Sequence, residues 1–146
     1  MQEAFEVAIV GAGPAGLSAA CLLAEKGIKT IVLERGEYAG AKNISGGVLY
    51  GHDLAQVLPD YEKRNCPIER NIVESRIWYL SRDGGYSLAY RDKIFTDERK
   101  YNVFTVGRAK FDRWFAEQAK AKGALVAYAT VVVDLLRDSN PRIVGV

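Results

Sequence analysis

The chain has 146 residues, about one domain's worth, with 49% hydrophobic and 26% charged residues. That composition excludes a disordered or fibrous protein. Twenty Lys and Arg against 18 Asp and Glu leave a net charge of +2, which gives no footing for nucleic-acid binding or a polybasic membrane anchor.

At the N-terminus, MQEAFEVAIVGAGPAG lacks the basic start of a signal peptide, and its apolar run is short. No later stretch approaches the roughly 18 apolar residues of a membrane span. Residues 5–10, FEVAIV, predict a strand buried on both faces. Gly11-Ala12-Gly13-Pro14-Ala15-Gly16 follows, with Pro14 where a first helical turn tolerates it. Leu17 to Lys26 predicts a helix closed by Gly27, and residues 28–33, IKTIVL, a second strand ending at Glu34-Arg35. The expectation is a β-α-β unit with adjacent parallel strands.

Gly36 to Gly51 holds five glycines and reads as a long ordered loop, a feature that usually has a function. Residues 52–58 predict a short helix ended by Pro59. Residues 72–80 and 86–90 predict a hairpin around Arg82-Asp83-Gly84-Gly85. Residues 101–106 predict a strand. Lys110 to Lys122 predicts a helix with Phe111, Trp114, Phe115 and Gln118/Ala119 on one face and an Arg113–Glu117 pair. Residues 124–133, ALVAYATVVV, predict a third core strand. After the turn at Asp138-Ser139-Asn140-Pro141, RIVGV begins one more, with no partner in sight. On that ground residues 1–146 are expected to be the N-terminal domain of a longer protein.

Gly11-x-Gly13-x-x-Gly16 carries the chemistry, because it follows a strand and opens a helix. Gly11 permits the tight turn, Gly13 lets a pyrophosphate approach the backbone, and Gly16 lets helix and strand pack closely. The helix N-terminus then offers free N–H groups to phosphates. Glu34, 23 positions after Gly11, ends the second strand, where a carboxylate accepts hydrogen bonds from ribose hydroxyls. The fingerprint by itself suits NAD as well as FAD.

The segment GAGPAGLSAACLLAEKGIKTIVLERG resembles the FAD-binding start of flavoproteins built like p-hydroxybenzoate hydroxylase and glutathione reductase. In an NAD-type domain a third β-α unit would follow soon after Glu34, whereas here a glycine loop, a helix and a hairpin intervene. ERGEYAGAKNISGG, PIERNIVESRIWYL and GRAKFDRWFAEQAKAKGALV resemble the electron-transfer-flavoprotein:quinone oxidoreductase family, nearest its FixC-like branch and related to the geranylgeranyl reductases. The resemblance covers about residues 4–146.

It implies an α/β fold, a Rossmann-type parallel sheet with a β-hairpin excursion, and FAD as cofactor. Gly11, Ala12, Gly13, Pro14, Ala15 and Gly16 would cradle the pyrophosphate. Glu34 would hold the adenosine ribose, with Arg35 over the same end. Lys42, Asn43, Gly46 and Gly47 would lie along the middle of FAD, and Arg108, preceding a helix, would reach its phosphate–ribitol region. A Thr130-x-Val132 strand would meet the adenine edge. The implied activity passes electrons from an electron-transfer flavoprotein to a quinone or a ferredoxin-like protein. The alternatives are a polyprenyl (geranylgeranyl) reductase and, for the isolated chain, a non-catalytic dinucleotide-binding or docking module. A cytoplasmic protein is expected, with peripheral association at the inner face of the membrane as the alternative for the full-length protein.

The remaining chemistry-bearing residues read as structural. Cys21 and Cys66 show no C-x-x-C or metal spacing and suit a reducing cytosol. His52 reads as a surface or capping residue, and Trp78, Trp114 and Phe115 as core. Lys93, Arg99 and Lys100 read as a solvated face, and Asp83 and Asp97 lack a paired spacing for acid–base work. No residue stands out as catalytic: flavin chemistry belongs to the cofactor. The second FAD motif, the quinone domain and an iron–sulfur cysteine cluster that the family would supply are not found in these 146 residues.

Overall fold

The computed structural model describes residues 4–91, 102–140 and 142–146. Lys93, Asp97, Arg99, Lys100 and Pro141 lie outside the described residues, as does the first residue of the strand expected over 101–106. In chain order the elements are β1 (Val7–Val10), α1 (Pro14–Glu25), β2 (Thr30–Leu33), β3 (Gly46–Tyr50), α2 (Gly51–Val57) and a 3-10 turn (Tyr61–Arg64). They continue with β4 (Ile68–Asn71), β5 (Ser75–Leu80), β6 (Gly85–Tyr90), β7 (Val103–Gly107), α3 (Arg108–Ala121), β8 (Leu125–Ala127), β9 (Leu136–Arg137) and β10 (Ile143–Gly145). Two compact units result, one of residues 1–45 with 108–146 and the other of residues 46–107.

The first unit carries the parallel sheet, in the order β1-β2-β8. The β-α-β expectation holds: Val7 to Val10 pair in parallel with Thr30 to Leu33, and α1 carries the chain back between them. The helix starts at Pro14, earlier than its apolar periodicity suggested, because proline's missing N–H is harmless there. Gly27 ends it at φ +76, a left-handed turn that glycine adopts without strain. Leu17, Ala20 and Cys21 of α1 and Phe111, Phe115, Ala116 and Ala119 of α3 are buried, the 3–4 spacing of helix faces turned to a core. The two helices pack together, and Lys122 Nζ reaches Glu25 Oε2 at 2.9 Å.

Three expectations for this unit change. The strand over 124–133 shrinks to β8, because Ala129 turns to φ +51 and breaks the extended run. The amides of Ala129 and Thr130 still donate to the carbonyls of Gly36 and Glu34, so the segment stays beside the end of β2 without being a strand. RIVGV does find a partner: Ile143 of β10 lies opposite Arg137 of β9 in a short antiparallel pair. Finally, Arg113 stacks over the Tyr38 ring at 3.9 Å, while Glu117 takes Lys120 in place of the expected Arg113.

The second unit holds a three-stranded antiparallel sheet, β3-β7-β4, and the β5–β6 hairpin. The glycine stretch read as loop to Gly51 is a strand from Gly46, paired residue for residue from Gly46 opposite Gly107 to Tyr50 opposite Val103. Cross-strand pairing there overrides glycine's weak strand propensity. The strand β4 was not expected either. Val103, Phe104, Val106, Leu54, Leu58 and Tyr61 form the core, with the Tyr61 and Phe104 rings 5.8 Å apart. The hairpin forms as expected, and the Ser81 amide and hydroxyl both donate to the Gly84 carbonyl in its turn. Glu74 takes Arg76 and Arg91 at its base. Trp78, expected in the core, is 58% exposed on this hairpin, whereas Phe115 is buried and Trp114 half-buried. His52 is exposed and pairs with its neighbour Asp53 at 2.9 Å. Among the described residues no helix is long and apolar enough to cross a membrane.

Candidate functional site

Each glycine of the turn after β1 meets a different demand. Gly11 sits at φ +98 and donates its amide to the Leu33 carbonyl at 2.8 Å, tying the turn to β2. A Cβ on Gly16 would lie 2.2 Å from the Gly11 carbonyl oxygen and 3.1 Å from Ile9 Cγ2, so only glycine lets α1 approach the strand this closely. Gly13 is the reverse case. Its backbone is ordinary extended chain, φ −85 and ψ 175, and a Cβ there would meet nothing within 4 Å. The space beside Gly13 is open, and glycine is not required there by the protein's own packing.

Gly13 is also the N-cap of α1, and no side chain caps that end. Its carbonyl accepts the first helical bond, from the Leu17 amide at 2.9 Å. The first-turn amides and the positive end of the helix dipole therefore meet that open space, an arrangement suited to an anion.

Glu34 does more than the sequence suggested. Its Oε2 accepts the Ala12 amide at 2.8 Å and its Oε1 the Gly36 amide at 2.7 Å. The carboxylate thus clamps the glycine turn to the chain just beyond β2. Ala12 is fully buried and its amide is spent on Glu34, so it shapes the turn and offers no donor. Each carboxylate oxygen keeps a second acceptor direction, which hydroxyl groups can use.

A cavity of about 260 Å3 opens at the carboxyl ends of β1 and β2. Val10 and Gly11 line one side, Leu33, Glu34 and Arg35 another, and Thr130, Val131 and Val132 close it. Ligands of open α/β sheets bind at that end of the strands. Arg35 is exposed and Val132 half-buried. The 130–132 segment reaches the cavity as irregular chain rather than as the expected strand.

The glycine loop is held against α3. Gly40 sits at φ +86, and a Cβ there would be 3.0 Å from the Ala109 backbone and from Asp112 Cβ. Asn43 Nδ2 donates to Asp112 Oδ2 at 2.6 Å. Arg108 donates in bidentate fashion, Nε to Oδ1 at 3.0 Å and Nη2 to Oδ2 at 2.9 Å. Arg108 is the first residue of α3, not a residue ahead of it, and its amide donates to the Ser45 carbonyl. The Asp112 carboxylate beside it raises the Arg108 pKa, and partial burial opposes the shift less strongly.

Gly11 to Gly16, Glu34, Arg35 and Val132 therefore gather at one end of the parallel sheet, and Asn43 and Arg108 meet on one buried carboxylate. Lys42 is exposed. Gly46 and Gly47 belong to the second unit, where they open β3. Sequence reasoning missed Asp112, which is fully buried. Its signal was present: position 112 falls on the same helical stripe as Phe115, Ala116 and Ala119, where an acid needs a partner.

Comparison with known proteins follows the same line. The family described as FAD dependent oxidoreductase matches residues 6–102. Protein FixC of Azorhizobium caulinodans is 41% identical over all 146 residues, and that of Azotobacter vinelandii 39%. The chain spans 33% of the length of each of these curated relatives. Among solved structures, a geranylgeranyl bacteriochlorophyll reductase-like protein from Thermoplasma acidophilum superposes with a TM-score of 0.72 at 21% identity, over 92% of this chain and 32% of its own. The myxobacterial chondrochloren halogenase CndH, a variant of FAD-dependent halogenases, gives 0.68 at 24% identity, over 94% and 31%. These two likenesses bear on the fold, which is that of an FAD-binding Rossmann-type unit.

Proposed function

The chain belongs to the family of FAD-dependent oxidoreductases, and from that premise we propose that its first unit holds the adenosine and pyrophosphate part of FAD in a protein that passes electrons from an electron-transfer flavoprotein to a quinone or a ferredoxin-like acceptor. The observation that carries the site is Gly13: open space beside an uncapped helix N-terminus, in a turn whose other two glycines are explained by φ and by packing. FAD, when bound, supplies the redox chemistry. The chain's own residues bind and orient. First-turn amides of α1 meet the pyrophosphate, and the free acceptor directions of Glu34 take ribose hydroxyls. Arg35 and the backbone near Val132 flank the adenine end, while Asn43 and Arg108 address the anionic middle of the cofactor. Lys42, exposed on the same loop, adds positive charge there.

The electron-transfer role rests on the similarity to FixC proteins across the chain. It is tested with the whole protein. Flavin absorption after purification, bleached by a reduced electron-transfer flavoprotein and restored by a quinone or a ferredoxin-like protein, is the expected result. Bleaching by a chemical reductant only, with reoxidation by a polyprenyl double bond, would favour the reductase alternative. Bare protein absorbance would leave a docking module.

A further inference from the structure

We propose that Asp112 is a positioning residue, which sets the Arg108 guanidinium and the Asn43 side-chain amide as one rigid pair facing an anionic group of the cofactor. The inference rests on the site reading above. Asp112 has no solvent exposure, yet it lies on the buried face of α3 among Phe111, Phe115 and Ala116. A carboxylate in such a place is costly unless it is paired and fully hydrogen-bonded, and an apolar residue of similar size would pack there at no such cost. Here it accepts three hydrogen bonds, two from Arg108 and one from Asn43.

The two donors come from different places. Arg108 stands at the start of α3, and Asn43 stands on the glycine loop, 69 residues before Asp112. A Cβ on Gly40 would lie 3.0 Å from the Ala109 backbone and from Asp112 Cβ, so glycine is what lets that loop lie this close to α3. The Arg108 side chain stays 30% exposed. Its Nε and one Nη2 proton go to Asp112, so among the described residues the other Nη2 proton and the two Nη1 protons remain, held in a fixed plane by the bidentate contact. A guanidinium ordered before binding loses less side-chain freedom when the ligand arrives.

The test uses the whole protein as apoprotein, titrated with FAD and followed by flavin fluorescence. The variants are D112N, R108K and the double variant, each checked for folding by circular dichroism. D112N is nearly isosteric and keeps one acceptor oxygen. R108K keeps the charge but loses the fork. Each single variant should raise the FAD Kd about tenfold, the scale of a lost charge-assisted hydrogen bond. The double variant should be no worse than either single one, because both changes break the same link. The near-UV and visible circular dichroism of the bound flavin should shift alike in all three. A folded D112N that melts lower but takes FAD with the wild-type Kd, while R108K is weakened, overturns the proposal and leaves the site reading standing. Fully multiplicative losses in the double variant overturn it as well. Wild-type Kd in R108K overturns the placement of Arg108 and the proposal with it.

Discussion

Gly13 and Gly16 are three residues apart in one motif and should behave oppositely when given a side chain. Gly16→Val places a Cβ 2.2 Å from a backbone oxygen that has nowhere to move, so the protein should fail to fold or melt far lower. The Cβ of Gly13→Val meets no protein atom within 4 Å and the backbone φ is unstrained, so the variant should keep its circular dichroism and melting temperature while losing FAD. Retention of FAD by a folded Gly13→Val protein would mean that the phosphates lie elsewhere. Glu34→Ala should have a double effect. It leaves the amides of two buried residues, Ala12 and Gly36, without their acceptor, which should cost about 1–3 kcal/mol of stability in urea unfolding. It should also weaken FAD, and a drop in stability with FAD affinity intact would confine Glu34 to the clamp. The spacing of Glu34 from the glycines was legible in the sequence. The clamp was not, because nothing local says where the two amides point.

At the scale of elements, helical periodicity placed α1 and α3 well, since their buried faces repeat every three to four residues regardless of what they pack on. Strands were less legible. β8 ends where Ala129 turns to positive φ, in a run whose composition favours extension. β3 forms in a glycine-rich segment because β7 pairs with it along its whole length. The hairpin was placed correctly, yet its side chains were not: Trp78 looked like core and stands exposed. The contrast gives a prediction. Phe115→Ala, in the fully buried face of α3, should lower stability by about 3–5 kcal/mol in denaturant titration. Trp78→Ser should change it by no more than about 0.5 kcal/mol, as for surface substitutions. A large loss in Trp78→Ser would show that this face of the hairpin is covered in the whole protein.

For the molecule as a whole, stability should respond to alkali through the second unit. Burial pushes the Cys66 thiol from 9.0 up to about 12, and burial, with Glu62 nearby, pushes the Tyr61 hydroxyl from 10.0 to about 12. Both groups are neutral when protonated, and the folded state holds those protons more tightly than the unfolded chain. The stability they contribute is therefore complete below about pH 9 and is lost as pH rises toward 12. Melting temperatures should fall progressively across that window, and Cys66 should resist alkylation by iodoacetamide at pH 8. Rapid alkylation of Cys66 in the folded protein at pH 8 would contradict the raised thiol pKa.

The sequence by itself determined the class of this protein. A strand, three glycines at set spacing, a helix and an acid at the end of the next strand are local features, and each glycine's need is written in the few residues around it. That was enough for a parallel β-α-β unit, a dinucleotide site and, with the FixC-like segments, FAD. The tertiary structure alone decided which amides Glu34 holds, that Gly46 and Gly47 are strand residues of the second unit, and that Asp112 gathers Arg108 and Asn43. Asn43 and Asp112 are 69 residues apart, and the Glu34 clamp spans 22. Contacts at such separations exist only after the chain has folded back on itself, so neither propensity nor periodicity, which report on neighbours, can carry them.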